Sequence, residues 1–346
     1  MGVGQVEPKW KVDEVHETVI DPQRPIIDAH FHFVRSPEFT YEIEEYGRDT
    51  CSGHNIIKSI FVESCQDFDS EYPPQLKPVS ETEYAAQLAM RAREQGVTVA
   101  GIVGRADLSL GDAVEEVLNA HLNAAGDLLK GIRQIAIRDP YPNAISVPEA
   151  YFAPGDLYEQ PAFRRGLKRL GQLGFSFDAW HYHHQLPDFI GLARATPDTP
   201  LILDHFGTPL GVGPYRERRK EIFDRWRKDI AELAKCPNVV AKLGGLAMRD
   251  NGFGWDGAQN PPSSDIFVAA QAPYYHHTIE CFGAERCMFE SNFPVDKMSL
   301  PYHILFNGFK KMANRYSPDE QECLFYRTAV RTYRIFVDPT PDDITR

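Results

Sequence analysis

The sequence contains no apolar run approaching the roughly 20 residues that a bilayer-spanning helix needs. It has no surplus of positive charge either. Lys and Arg number 37 against 49 Asp and Glu, a formal net charge of −12, which argues against nucleic acid or an anionic membrane surface as a partner. Net charge does not describe a pocket, so a small anionic substrate stays compatible with it. Cysteine is sparse: the six, at positions 51, 65, 236, 281, 287 and 323, form no CxxC pair. In a long chain that pattern reads as reduced thiols rather than a disulfide framework or a zinc ribbon. No GxGxxG or GKS/T motif follows a strand-like run, which removes the phosphate loop that a doubly wound nucleotide-binding sheet would carry. The glycines at 211 and 213 come late and precede PYRERR, so they read as a loop. The N-terminal stretch MGVGQVEPKWKVDEVHETVI lacks the apolar core of a secretory signal, and Val6 stands where a myristoylation motif takes Ser or Thr. The expectation is a cytoplasmic protein without membrane attachment.

What is present is a regular alternation. Short β-rich runs recur as PIIDAHFHF from 25, SIFVES from 59, TVAGIVG from 98, KGIRQIAI from 130, FSFDAWHY from 175, PLILDHFG from 200, NVVAKLGGL from 238 and CMFESNF from 287. Between them lie stretches with helical spacing, such as ETEYAAQLAMRAREQG and DAVEEVLNAHLNAAG, with apolar residues on one side and charges on the other. Strand and helix in alternation mean a parallel sheet. The eight runs repeat at about 37 residues, a size that suits the unit of a (β/α)8 barrel. The predicted organisation is an irregular arm over residues 1–24, an α/β TIM barrel over 25–337 and a tail over 338–346. Residues 33–57 and the Gly- and Pro-rich stretch 249–264 are candidate lids over the barrel mouth. A homo-oligomer is compatible with the pattern.

Chemistry concentrates where strands end. Asp28-Ala29-His30-Phe31-His32 closes an apolar strand, and simple alternation sends 28, 30 and 32 to one face. Two imidazoles two residues apart at a strand's C-terminal end can grip one metal ion or one substrate oxygen. Leu201-Ile202-Leu203-Asp204-His205 ends a second strand in histidine. Trp180-His181-Tyr182-His183-His184 ends a third, with 181 and 183 on the face of Phe175, Phe177 and Ala179. Six of the 12 histidines therefore fall at the ends of three strands, the rim where barrel enzymes collect their chemistry. Arg133 and Lys242 are basic residues inside apolar strands. A rim position or an ion pair accounts for either alone, whereas together they suggest a site for a substrate carboxylate.

Taken in order, DAHFH, LILDHFG, KLGGL and MFESNFPVD resemble the amidohydrolase superfamily, and within it the amidohydrolase-related lactonases, from about residue 25 to 335. The resemblance implies a distorted (β/α)8 barrel that acts on esters, lactones or amides, with branches that decarboxylate aromatic acids. It also implies one divalent ion, zinc by donor preference, on His30, His32 and His183, with His205 bonding the water or substrate. Relatives that work without metal leave metal-free catalysis open. The pattern departs after the eighth strand, where Asn292 replaces an Asp that serves as ligand or base. An amide cannot take a proton from water at neutral pH. Glu290, one step deeper on the same face, and Asp296, beyond the proline, are the carboxylates that could substitute. The expected function is hydrolysis of a carboxylate-bearing lactone, with metal-dependent decarboxylation of an aromatic acid, or a retired barrel with a binding role, as the competing readings.

Overall fold

The computed structural model describes residues 10, 16–66, 68, 71–94 and 96–336. Its centre is an eight-stranded parallel sheet whose strands lie side by side in chain order. These are β1 (Pro25–Phe31), β2 (Asn55–Val62), β3 (Val99–Arg105), β4 (Leu129–Ile135), β5 (Ser176–Trp180), β6 (Leu201–Leu203), β7 (Val239–Leu243) and β8 (Cys287–Phe289). The last and first strands meet at the rim, where Asn292 N–H donates to the His30 carbonyl (2.9 Å) and His32 N–H to that of Phe293 (2.8 Å). The sheet thus closes nearly completely into the expected (β/α)8 barrel.

A helix follows each strand: α1 (Ile43–Thr50), α2 (Val79–Glu94), α3 (Val114–Ala125), α4 (Pro161–Gln172), α5 (Leu186–Ala195), α6 (Arg219–Leu233), α7 (Ser264–Phe282) and α8 (Tyr302–Ala313). Their apolar stripes have helical spacing. In α4 the buried residues are Phe163, Gly166, Leu167 and Leu170, one face of a 3.6-residue repeat. Strand residues that point outward, such as Ile26, Phe31, Phe61, Ile132 and Phe177, join these stripes in the main core.

Inward residues make a second, smaller core. Ile27, Ala29, Ile60, Val62, Val103, Ile202 and Met288 pack together across the barrel with Ala329, Tyr333 and Ile335. Ala329 and Tyr333 belong to a helical segment, α9 (Pro318–Glu322) and α10 (Thr328–Tyr333) joined by a π-turn, which with Ile335 just beyond it plugs the barrel bottom.

One departure from simple alternation matters for the site. The β1–β2 register shifts between Asp28 and Phe31. Ala29 faces the interior and Phe31 the helices, so two inward residues follow in succession and Asp28 does not share the face of His30 and His32. Asp28 points outward instead, accepting from Ser291 N–H (2.8 Å), Ser291 Oγ (2.6 Å) and Tyr302 Oη (3.0 Å).

The first lid candidate contains a small antiparallel ladder (Val34–Arg35 with Thr40–Tyr41) and α1. The second ties to neighbouring mouth loops: Gly211 N–H donates to the Asp250 carbonyl (2.8 Å) and Ser146 N–H to Asp250 Oδ1 (2.8 Å). These loops surround a cavity of about 500 Å³ lined by Ala144, Gly211, Gly213, Arg216, Arg249 and Asp256, among others. Of the predicted arm, the described part is strapped to α8, where Lys310 Nζ donates to the carbonyls of Ile20 (2.9 Å) and Asp21 (2.8 Å). The rest of the arm, residues 1–9 and 11–15, and the 338–346 tail lie outside the described residues. Among those described, no helix is long and apolar enough to cross a membrane, and all six cysteines are free.

Candidate active site

The bulge in β1 turns His30 and His32 inward together. His32 Nδ1 lies 2.8 Å from the Val62 carbonyl, which can only accept, so this nitrogen carries the proton. His32 Nε2 is then a lone pair, and it faces His30 Nε2 at 3.1 Å. His30 Nδ1 lies 3.0 Å from both Lys242 Nζ and Glu290 Oε2, between a group that donates and one that accepts. Both rings are held neutral. Burial, with the Arg133 charge second, takes His32 down to about 3; burial and then Lys242 take His30 well below its ordinary value.

His205 follows β6 in a run of left-handed backbone, with positive φ at His205, Phe206, Gly207 and Thr208. Three of these are not glycine, a strained arrangement of the kind that persists where surrounding structure fixes it. His205 Nδ1 donates to Glu290 Oε1 at 2.7 Å, and its Nε2 has no hydrogen-bond partner among the described residues. Burial opposes ionisation of Glu290, but the pull of His205 and His30 on the carboxylate outweighs it and holds the carboxyl at about 2. Glu290 is therefore ionised at neutral pH and a poor proton acceptor; its geometry is that of an orienting partner for His205. The two glycines of KLGGL make room for this pair. A Cβ on Gly244 would overlap Glu290, and one on Gly245, itself at φ +73, would overlap the His205 ring.

Three further carboxylates complete the cluster, and sequence reasoning passed over all of them. Lys242 Nζ contacts Asp178 Oδ2 (2.6 Å) and Asp204 Oδ1 (3.2 Å) as well as His30. Arg133 Nε pairs with Glu63 Oε1 at 2.6 Å, and its Nη1 lies 4.0 Å from Asp204 Oδ2. Arg133 is 1% exposed and Lys242 0%. The carboxylates that these two cations engage are thus the protein's own, so the expected substrate anion has no open face on either. A signal was available: Asp178 and Asp204 are acidic residues inside otherwise apolar strands, as anomalous as the two cations noticed there.

The remaining candidates divide. β5 ends at Trp180, and His183 sits in the short 3-10 turn after it, where strand alternation no longer applies. Its Nδ1 accepts from Leu210 N–H (3.3 Å) and its ring meets Tyr215 edge-on. His181 is the buried neighbour whose Nε2 has no hydrogen-bond partner among the described residues, and that nitrogen borders Gly207 in the His205 loop. Asn292, at φ +55, donates through Nδ2 to Asp296 Oδ1 (3.0 Å). Asp296 also accepts from Ala247 N–H (3.2 Å), so its geometry is well defined despite its place in a loop. Burial raises the Asp296 carboxyl to about 7 against the lowering pull of His205 and these hydrogen bonds.

Among the described residues, the group whose ligand atoms converge, all within 4.8 Å of one another, is His30, Asp204 and His205. Of the expected trio only His30 belongs to it. His32 is committed to Val62 and His30, and His183 lies in the turn beyond its strand. Two imidazoles and a carboxylate suit a divalent ion such as zinc, and both Asp204 oxygens lack a hydrogen-bond partner among the described residues. The donor types suit one ion, but Lys242 Nζ already stands among them, 3.0 Å from His30 Nδ1 and 3.2 Å from Asp204 Oδ1.

Residues 27–335 match the amidohydrolase family model. An uncharacterized protein of Sinorhizobium fredii, y4mH, is 32% identical over 332 residues, 90% of this chain and 98% of that one. L-fucono-1,5-lactonase of Burkholderia multivorans is 28% identical over 246 residues, 71% of this chain and 74% of the lactonase. An amidohydrolase from Burkholderia multivorans, solved with bound zinc, has the same fold at a TM-score of 0.69 and 22% identity, covering 90% of this chain and 100% of the other. With its barrel matched almost from end to end, the chain belongs to the amidohydrolase family and is a hydrolase.

Proposed function

We propose that the chain opens a lactone, or a related cyclic ester, that carries a carboxylate. The observation that carries this reading is the buried pair of His205 Nδ1 and Glu290 Oε1 at 2.7 Å, which leaves the other ring nitrogen of His205 as a base. Its similarity to an L-fucono-1,5-lactonase supports the choice of a cyclic ester.

Water at the barrel mouth loses a proton to His205 Nε2 as its oxygen attacks the carbonyl carbon. The ionised Glu290 stabilises the imidazolium that forms. Arg133 and Lys242, with nitrogens within 3.5 Å of the His30 ring, hold that ring beside the reacting centre. Collapse of the tetrahedral intermediate breaks the ring C–O bond. The departing oxygen recovers the proton from His205, and the product is a hydroxy acid. A divalent ion on His30, Asp204 and His205 would polarise the carbonyl and lower the pKa of water. Arg216 and Arg249 line the mouth cavity and offer forked donors to the substrate's carboxylate.

A panel of carboxylated and neutral lactones, assayed by acid release beside hydroxybenzoates assayed for CO2, tests the reading. Opening of at least one carboxylated lactone is expected, with loss in His205→Asn. CO2 release from a hydroxybenzoate, with every lactone left intact, would overturn it.

A further inference from the structure

We infer that Lys242 is the resident cation of this site: its ammonium takes the position a divalent ion would occupy, and removing it opens a metal site that the native chain keeps closed. Lys242 faces the barrel interior from β7, opposite Met288 of β8, and its side chain is fully buried. An ammonium has three N–H donors and no acceptor. Three acceptors surround this one, Asp178 Oδ2 at 2.6 Å, His30 Nδ1 at 3.0 Å and Asp204 Oδ1 at 3.2 Å.

Two of those three acceptors, His30 and Asp204, belong to the trio that fits a metal. A divalent ion drawn to the same donors would stand against the ammonium at contact range, in surroundings where screening is weak. It would also have to displace a lysine that is hydrogen-bonded to Asp178 and His30 and ion-paired with Asp204. Arg133 adds a second positive charge 4.0 Å from the other Asp204 oxygen. Around the histidines, the carboxylates of Glu63, Asp178, Asp204 and Glu290 face the cations Arg105, Arg133 and Lys242. A dication added to these seven groups would leave an excess of positive charge in the barrel. With Lys242 neutral, the four carboxylates face two cations and one dication balances them.

The inference concerns metal alone and uses the same residues as the hydrolytic reading without depending on it. Its test therefore needs no substrate, and either idea can fail without the other. Protein purified without a histidine tag and stripped with chelator would be titrated with zinc by calorimetry, in native form and as Lys242→Met, His205→Asn and the double variant. Native protein should show no zinc site tighter than on the order of 10 µM that is sensitive to His205→Asn. Lys242→Met should gain one zinc equivalent bound roughly 100-fold more tightly, and the double variant should lose it again. A folded Lys242→Met protein that gains no zinc would overturn the inference. Should that variant not fold, native protein decides alone. One tightly held zinc that disappears in His205→Asn refutes the inference, and weak binding indifferent to His205 upholds it.

Discussion

Replacing Glu290 with Gln keeps the size of the side chain and an oxygen that can accept from His205, and removes only the charge. The carboxyl has an ordinary value of 4.5 and is held at about 2, a preference for the ionised form of about 3 kcal/mol. Because the folded value is depressed, this stabilisation is fully present above pH 4.5 and fades as pH falls toward 2. Glu290→Gln should therefore lose stability of that order at pH 7 and show a weaker acid dependence between pH 4.5 and 2. The kinetic effect has a separate origin. The charge 2.7 Å from His205 Nδ1 stabilises the imidazolium formed in the transition state, so kcat should fall by roughly 10²–10⁴, with KM little changed. Acid release from the lactone identified in the panel measures kcat, and denaturant unfolding at several pH values measures stability. A variant that keeps kcat within about threefold of native would refute the role assigned to the pair, whatever its stability.

Gly245→Ala should cost about 1–3 kcal/mol through strain at positive φ and overlap with His205, with activity falling in parallel; unchanged thermal unfolding and turnover would contradict the packing argument. Arg216→Ala and Arg249→Ala should each raise KM for carboxylated lactones several-fold and leave neutral ones untouched, a contrast that steady-state kinetics on the two classes would reveal or deny. Asp296 is raised from 3.8 to about 7, so its ionisation opposes the fold, with a penalty that grows as pH rises from about 4 to 7. Asp296→Asn should flatten the stability profile over that window, and a profile that keeps its slope would show that another group sets it.

The barrel could be read from the sequence because each strand is a short apolar run ending in polar residues, and burial on both faces requires such runs. His30, His32 and His205 were legible for the same reason: an imidazole at the end of an apolar strand stands at the rim. The shift that turns Asp28 outward was not, since alternation presumes a regular pleat and a bulge leaves no mark in DAHFH. His183 entered the expected ligand set through the resemblance, while alternation, which set it beside His181, does not hold past Trp180, where the strand ends. Arg133 and Lys242 were recognised as anomalous charges, yet their partners, Glu63, Asp178 and Asp204, come from other strands and are brought near only by barrel closure. Asn292 and Asp296 carried the opposite difficulty. Their adjacency was visible, but the side-chain bond between them depends on a left-handed residue that sequence does not announce.

Tyr333, near the end of the plugging helix, donates its hydroxyl to Asp178 Oδ2 at 2.9 Å, and Asp178 in turn holds Lys242. A ribosome delivering this chain from its N-terminus releases all eight strands before the residue that completes the charge network beneath the histidines. A nascent barrel lacking its final turns would hold Asp178 with one hydrogen-bond donor missing and the inner core unsealed at its base. Competence at the mouth is thereby coupled to the helical segment that seals the opposite end, so that a chain cut before Tyr333 would be handicapped in chemistry as well as in packing.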